Sequence, residues 1–237
     1  MRQGGTVEKL VLFDIDGTIL LSAGAGRRAI LAALAEVVEY AEAFEQVRFD
    51  GKTDPQIVAE LLEVAGDPDP RNPERMGWVC RRYLEYLALE LERPTTRTRL
   101  MPGVAPLLDR LESEAAVVIG LLTGNIAEGA ALKLRSGGID PARFRLGAYG
   151  SDAAHRPELP AIAARRAERF FGRVPGGDEV VIIGDTPADI HCGQGIAARA
   201  IGVATGGYAY ADLAACGPHA VFSDLADTDR VLDAILR

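Results

Sequence analysis

Residues 9–18 read Lys-Leu-Val-Leu-Phe-Asp-Ile-Asp-Gly-Thr (KLVLFDIDGT), an apolar run that stops at two carboxylates and a glycine. A run without polar alternation suits a strand covered on both faces, as in parallel α/β sheets. Two further runs have the same shape. Residues 115–122 (AAVVIGLL) lead into Thr123-Gly124-Asn125, and residues 180–183 (VVII) lead into Gly184-Asp185. Weaker strands are expected at 144–149, 200–203 and 220–222, with helices over 104–114, 127–136 and 159–171. The alternation predicts an α/β fold, a doubly wound, mostly parallel, Rossmann-like sheet.

Residues 26–92 break this rhythm, with helical periodicity and no convincing strand. Ile30, Leu34, Val37 and Val38 recur at helical spacing. Asp54-Pro55 supplies an expected N-cap and first-turn proline, with Gly66 as a stop. Met76, Val79, Cys80, Tyr83, Leu84, Leu87 and Leu91 mark a third amphipathic helix. A purely helical block inside an alternating chain reads as an insertion. Residues 1–22 and 97–237 are therefore expected to form the Rossmann-like core domain, and 23–96 a helical cap domain. Gly24-Ala25-Gly26 is read as the link into it, and Pro94 and Pro102 as its exit.

The 237 residues suit one domain carrying such an insertion. With 48% hydrophobic and 25% charged residues, global disorder is excluded. Lys plus Arg is 26 and Asp plus Glu is 34, a net charge of −8, which speaks against nucleic-acid and anionic-membrane partners. Cys80, Cys192 and Cys216 have no ligand or disulfide spacing and read as incidental thiols in a reducing compartment. Residues 1–8 show no leader-like core, and no apolar run approaches the ~20 residues of a membrane span, so a cytoplasmic protein, monomer or homodimer, is expected.

In open parallel sheets ligands bind at the carboxyl ends of the strands. Four carboxylates are expected there, Asp14, Asp16, Asp185 and Asp189, beside the Thr123-Gly124-Asn125 turn. Crowded carboxylates repel unless a cation separates them, and a hard divalent ion with oxygen ligands, Mg²⁺ above all, meets that need. Asp189 taken alone reads first as a helix cap or a solvated residue.

The segments FDIDGT (13–18), LLTGN (121–125) and VIIGDTPADI (181–190) resemble motifs one, two and four of the haloacid dehalogenase-like hydrolase superfamily. The likeness runs over nearly the whole chain, with the helical insert between motifs one and two, where that superfamily places a helical cap. The resemblance implies Asp14 as a nucleophile that forms an aspartyl-phosphate and Asp16 as the general acid and base. It implies Mg²⁺ held by Asp14, Asp185 and the Asp16 carbonyl, with Asp189 binding directly or through water. Thr123, with the Gly124 and Asn125 amides, would cradle the phosphate of a small phosphorylated substrate. The second aspartate favours phosphoryl chemistry over dehalogenation.

Motif three departs from the superfamily's usual lysine, reading His155-Arg156-Pro157-Glu158. Arg156 is the candidate phosphate-bound cation, against a solvated loop arginine. Lys133 competes for the role but is expected on an exposed helix face. Arg27, Lys52 and Asp54 of the insert could meet a leaving group, although an N-cap explains Asp54 better. The three histidines read as surface residues. Asp14-Ile15-Asp16-Gly17 is not an EF-hand, which needs glycine at the sixth position, here Ile19. The insert and its GKTD segment (51–54) are most similar to the phosphoglycolate phosphatase-like branch. A phosphomutase of the β-phosphoglucomutase type and a non-catalytic Mg²⁺-dependent binding module are the alternatives.

Overall fold

The computed structural model describes residues 8–39 and 41–237. Residues 1–7, which carry most of the expectation about a leader and begin the expected core domain, lie outside the described residues. The chain opens with β1 (Lys9–Phe13) and a two-residue β2 (Leu20–Leu21), then three helices, α1 (Ala25–Leu34), α2 (Asp54–Val64) and α3 (Pro73–Glu92). It returns through β3 (Arg99–Leu100) and continues α4 (Val104–Ser113), β4 (Val117–Thr123), α5 (Ala127–Ser136) and β5 (Leu146–Tyr149). The remainder is α6 (Leu159–Phe171), β6 (Val180–Gly184), α7 (Pro187–Cys192), β7 (Arg199–Val203), α8 (Tyr210–Ala215), β8 (Ala220–Phe222) and α9 (Thr228–Leu236).

Six strands pair in parallel in the order β5-β4-β1-β6-β7-β8. The expected α/β fold is therefore present, with β1 central, and its continuous apolar runs are explained by burial on both faces. Val11, Phe13, Ile119, Leu121, Val181 and Ile183 pack with the apolar faces of α4 and α9. Alternate residues, Leu10, Leu12, Val118, Leu122, Val180 and Ile182, pack with Leu159, Ala163 and Ala167 of α6. Successive side chains of a strand point to opposite faces, so one sequence run fills both layers.

α1 to α3 build a cluster of their own around Ile30, Leu34, Leu61, Leu62, Val79, Tyr83 and Leu87. One residue from the strand-end loops, Ile126, joins it. The insert is connected through two adjacent crossings, because β2 and β3 pair antiparallel, Leu20 with Leu100 and Leu21 with Arg99. At the first crossing Ala23 (φ 49°) and Gly24 (φ 77°) are both left-handed. Such a conformation is cheap for glycine and costly for alanine, so the turn is specified by its surroundings.

Candidate active site

β1, β4 and β6 sit side by side, so Asp14, Thr123 and Asp185 arrive together at their carboxyl ends. Gly17 makes this possible: its φ of 88° turns the chain back, and a Cβ there would lie 2.3 Å from Asp185 Oδ2. The lining of one cavity of about 230 Å³ includes Asp14, Asp16, Thr123, Asn125, Lys133, Arg156 and Asp185 from the sheet side and Arg27, Lys52, Asp54 and Tyr83 from the insert.

Asp14 and Asp16, two residues apart, face different surroundings. Carboxylate oxygens of Asp14, Asp185 and Asp189 lie within 4.8 Å of one another, all three side chains buried. The Asp16 side chain is not in that group. It is 40% exposed and meets Lys133 Nζ and Asn125 Nδ2 instead, at 2.6 Å and 2.8 Å. Arg156 Nη2 donates to Asp14 Oδ1 at 3.0 Å and also pairs with Asp189 Oδ1. Thr18 Oγ1 donates to Asp185 Oδ1 at 3.0 Å.

Asp189 takes part in a helix cap, as its sequence position taken alone suggests, and it also faces the carboxylate cluster. Its Oδ2 accepts the Thr186 amide at 3.0 Å and hydroxyl at 2.6 Å, closing a capping box on α7, while Oδ1 faces Arg156. Burial pushes the Asp14 carboxyl up, with Arg156 opposing it and Asp189 and Asp16 adding repulsion. Burial, then Asp189 and Asp14, push Asp185 up as well. Asp14 and Asp189 share one guanidinium, and Asp185 has the Thr18 hydroxyl instead, so three hard oxygen donors crowd a site with a single cation. This donor set fits a divalent cation such as Mg²⁺, which would relieve the repulsion.

Thr123 and Asn125 form the floor. Thr123 Oγ1 accepts from the Asn125 amide at 3.3 Å and from Asn125 Nδ2 at 2.8 Å. Gly124 has no room for a side chain, since a Cβ would lie 2.0 Å from the Lys52 carbonyl oxygen of the insert.

Two expectations are overturned. Lys133 is not on an exposed face; it is buried, and its ammonium donates to Asp16 Oδ2 and to Asn125 Oδ1, each at 2.6 Å. Burial works against its charge, but Asp16 and Asp54 outweigh that and raise its pKa. The N-cap of α2 is Thr53, whose hydroxyl accepts the Gln56 amide at 3.2 Å. Asp54 accepts the Ile126 amide at 2.9 Å, at the start of α5 across the cavity.

The other insert residues are partly engaged by the insert itself. Arg27 donates to the Val47 and Phe44 carbonyls at 3.0 and 2.9 Å and lies over the Phe49 ring, and Lys52 pairs with Glu60. Sequence reasoning missed Tyr83 as a cavity residue. It is wholly buried, with its hydroxyl beside the Asp54 carboxyl, and burial and that carboxyl hold its pKa well above the ordinary value. Its place at i+4 from Val79 and i−4 from Leu87 marked only a core stripe.

The family model for haloacid dehalogenase-like hydrolases matches residues 8–196. No curated protein matches the chain. A predicted phosphoglycolate phosphatase from Haemophilus somnus 129pt is 19% identical, with 97% of this chain and 100% of that one covered and a TM-score of 0.70. CbbY from Rhodobacter sphaeroides in complex with phosphate is 18% identical over 94% of this chain and 96% of its own, with a TM-score of 0.70. β-Phosphoglucomutase (pgmB) from Clostridium difficile is 17% identical over 97% of each chain, with a TM-score of 0.71. At these identities the likeness speaks for the fold.

Proposed function

The chain belongs to the haloacid dehalogenase-like hydrolases, and from that premise we propose that it is a cytoplasmic, Mg²⁺-dependent phosphomonoesterase acting on a small phosphorylated metabolite. The observation that supports this reading is the division between Asp14 and Asp16. One is buried in a carboxylate triad beside Arg156, the other partly exposed toward the cavity on Lys133 and Asn125. Carboxylates in such contrasting environments suit different roles.

Asp14 attacks phosphorus, and the bond from phosphorus to the leaving oxygen breaks while Asp16 donates a proton to that oxygen. Water then attacks the aspartyl-phosphate, giving its proton to Asp16, and the bond from phosphorus to Asp14 breaks to release inorganic phosphate. Asp14, Asp185 and Asp189, with the Asp16 carbonyl, would hold Mg²⁺. When bound, the ion neutralises phosphoryl oxygens so that an anionic nucleophile can approach an anionic substrate. Thr123 and the amides of Gly124 and Asn125 orient the phosphate, and Arg156 supplies fixed positive charge beside Asp14. The helical insert acts as a cap that excludes water while the ester bond breaks.

The cavity volume suits a compact leaving group, and phosphoglycolate is a candidate because the GKTD segment is similar to that branch. The test is release of p-nitrophenol from p-nitrophenyl phosphate with and without Mg²⁺, for wild type and Asp14→Asn. Mg²⁺-dependent turnover that the variant lacks is expected. No turnover in wild type, or full activity in the variant, refutes the reading. Product analysis with a sugar phosphate separates hydrolysis, which yields inorganic phosphate, from a mutase, which yields an isomer.

A further inference from the structure

We propose that Lys133 is a positioning residue for Asp16: it holds one carboxylate oxygen so that the other stays aimed at the leaving group. This rests on the phosphomonoesterase reading and deepens it. The Lys133 ammonium and the Asn125 side-chain amide converge on one atom, Asp16 Oδ2, at 2.6 and 2.8 Å. Asn125 is itself held, since its Oδ1 accepts from Lys133 at 2.6 Å and its Nδ2 donates to Thr123 Oγ1 at 2.8 Å. Among the described residues no hydrogen bond reaches Asp16 Oδ1. The two oxygens of one carboxylate are thus distinguished, one anchored by charge-assisted bonds and one left to the cavity.

The arrangement is built into the fold. Lys133 lies in the second turn of α5, on the face that also buries Ala130 and Leu134. That helix begins at the phosphate-binding turn, so a single rigid element carries both the cradle and the group that aims the acid. Arg156 stands on the other side of Asp14, against the carboxylate triad, which leaves the two buried cations with separate tasks. A competing task for Lys133 is to bind the phosphate itself.

Leaving groups tell these tasks apart. A nitrophenolate departs without a proton, whereas a benzyl alkoxide needs one, so losing a well-aimed acid hurts poor leaving groups most. The experiment measures kcat/KM, which includes the ester-cleaving step, on p-nitrophenyl, phenyl and benzyl phosphate. Wild type is compared with Lys133→Met and with Lys133→Arg, which keeps the charge but shifts the donors. A misplaced catalytic group costs about 100-fold. For Lys133→Met we expect a loss of about 100-fold on benzyl phosphate and only several-fold on p-nitrophenyl phosphate. Lys133→Arg is expected to fall between, and vanadate inhibition to be unchanged in both.

A uniform loss across the series, with or without weakened vanadate inhibition, overturns the inference. If Lys133→Met does not fold, the same skew is read in Lys133→Arg, and its absence there is equally fatal. Should wild type hydrolyse none of the three esters, the functional reading falls and takes this one with it. If wild type is active and the skew is missing, only the role of Lys133 falls.

Discussion

The carboxylate of Asp54, in the first turn of α2, accepts the backbone amide of Ile126 at 2.9 Å, tying the insert to the turn that follows β4. Two more bonds cross the same seam: the Asp54 amide donates to the Gly124 carbonyl at 2.7 Å, and Thr53 Oγ1 to the Ala154 carbonyl at 2.6 Å. The seam has a charge cost. Burial, opposed by Lys133 and the Ile126 amide, raises Asp54 from 3.8 to about 6.

A raised carboxyl favours the folded state while protonated. Its contribution is full below the ordinary value and is lost as pH rises through about 6. Wild type should therefore lose stability relative to Asp54→Asn between about pH 4 and 6, by at most about 3 kcal/mol, and run parallel to it above that. Asparagine can still accept the Ile126 amide, so the comparison isolates the charge. Urea midpoints across this range test it, and parallel curves within the range would contradict it.

Gly124→Ala should obstruct seating of the insert. The new methyl would lie 2.0 Å from the Lys52 carbonyl oxygen, 2.8 Å from its carbon and 3.0 Å from Thr53 Cα, all backbone atoms with no rotamer to yield. Overpacking of this kind costs about 1–3 kcal/mol, or about 10–100-fold in the population of the seated form. kcat/KM should fall by that factor. Gly195→Ala, which meets nothing within 4 Å, is the matched control and should leave activity intact.

The strand ends were legible because burial on both faces leaves an unbroken apolar run and the chemistry sits where the run stops. β2 and β3 were not, since two-residue strands carry no period. Lys133 shows a different failure. Its spacing from Ala130 and Leu134 places it on the buried face of α5, but residue type pointed outward, and only the distant Asp16 and Asn125 explain why an ammonium can be there. Asp54 was misread through a local rule: Asp before Pro suggests a cap, and the helix it helps to cap is another one.

Arg156→Lys should retain the fold and most of the activity. Both carboxylate contacts of Arg156 come from one nitrogen, Nη2, while its buried Nε has no hydrogen-bond partner among the described residues. The forked geometry that usually separates arginine from lysine is not used here. Arg156→Met, by contrast, leaves Asp14 and Asp189 without their cation and should cost about 3–5 kcal/mol. Thermal melts and turnover of p-nitrophenyl phosphate separate the two variants. Equal damage in both would show that the guanidinium shape matters.

Asp185→Asn should reverse its effect on stability with the metal. In EDTA the wild-type triad carries repulsion that Arg156, paired with Asp14 and Asp189, relieves only in part. The Asp185 carboxyl is raised by burial and by Asp189 and Asp14, so its ionisation opposes folding as pH rises. The asparagine removes that charge and can keep the bond from Thr18, so the variant should melt above wild type at pH 8 without metal. Mg²⁺ at 100 times its dissociation constant should stabilise wild type by about 2.7 kcal/mol and the variant far less. The order of melting temperatures therefore inverts between EDTA and Mg²⁺. Equal shifts in the two proteins would remove Asp185 from the metal site, whatever the activity assays show.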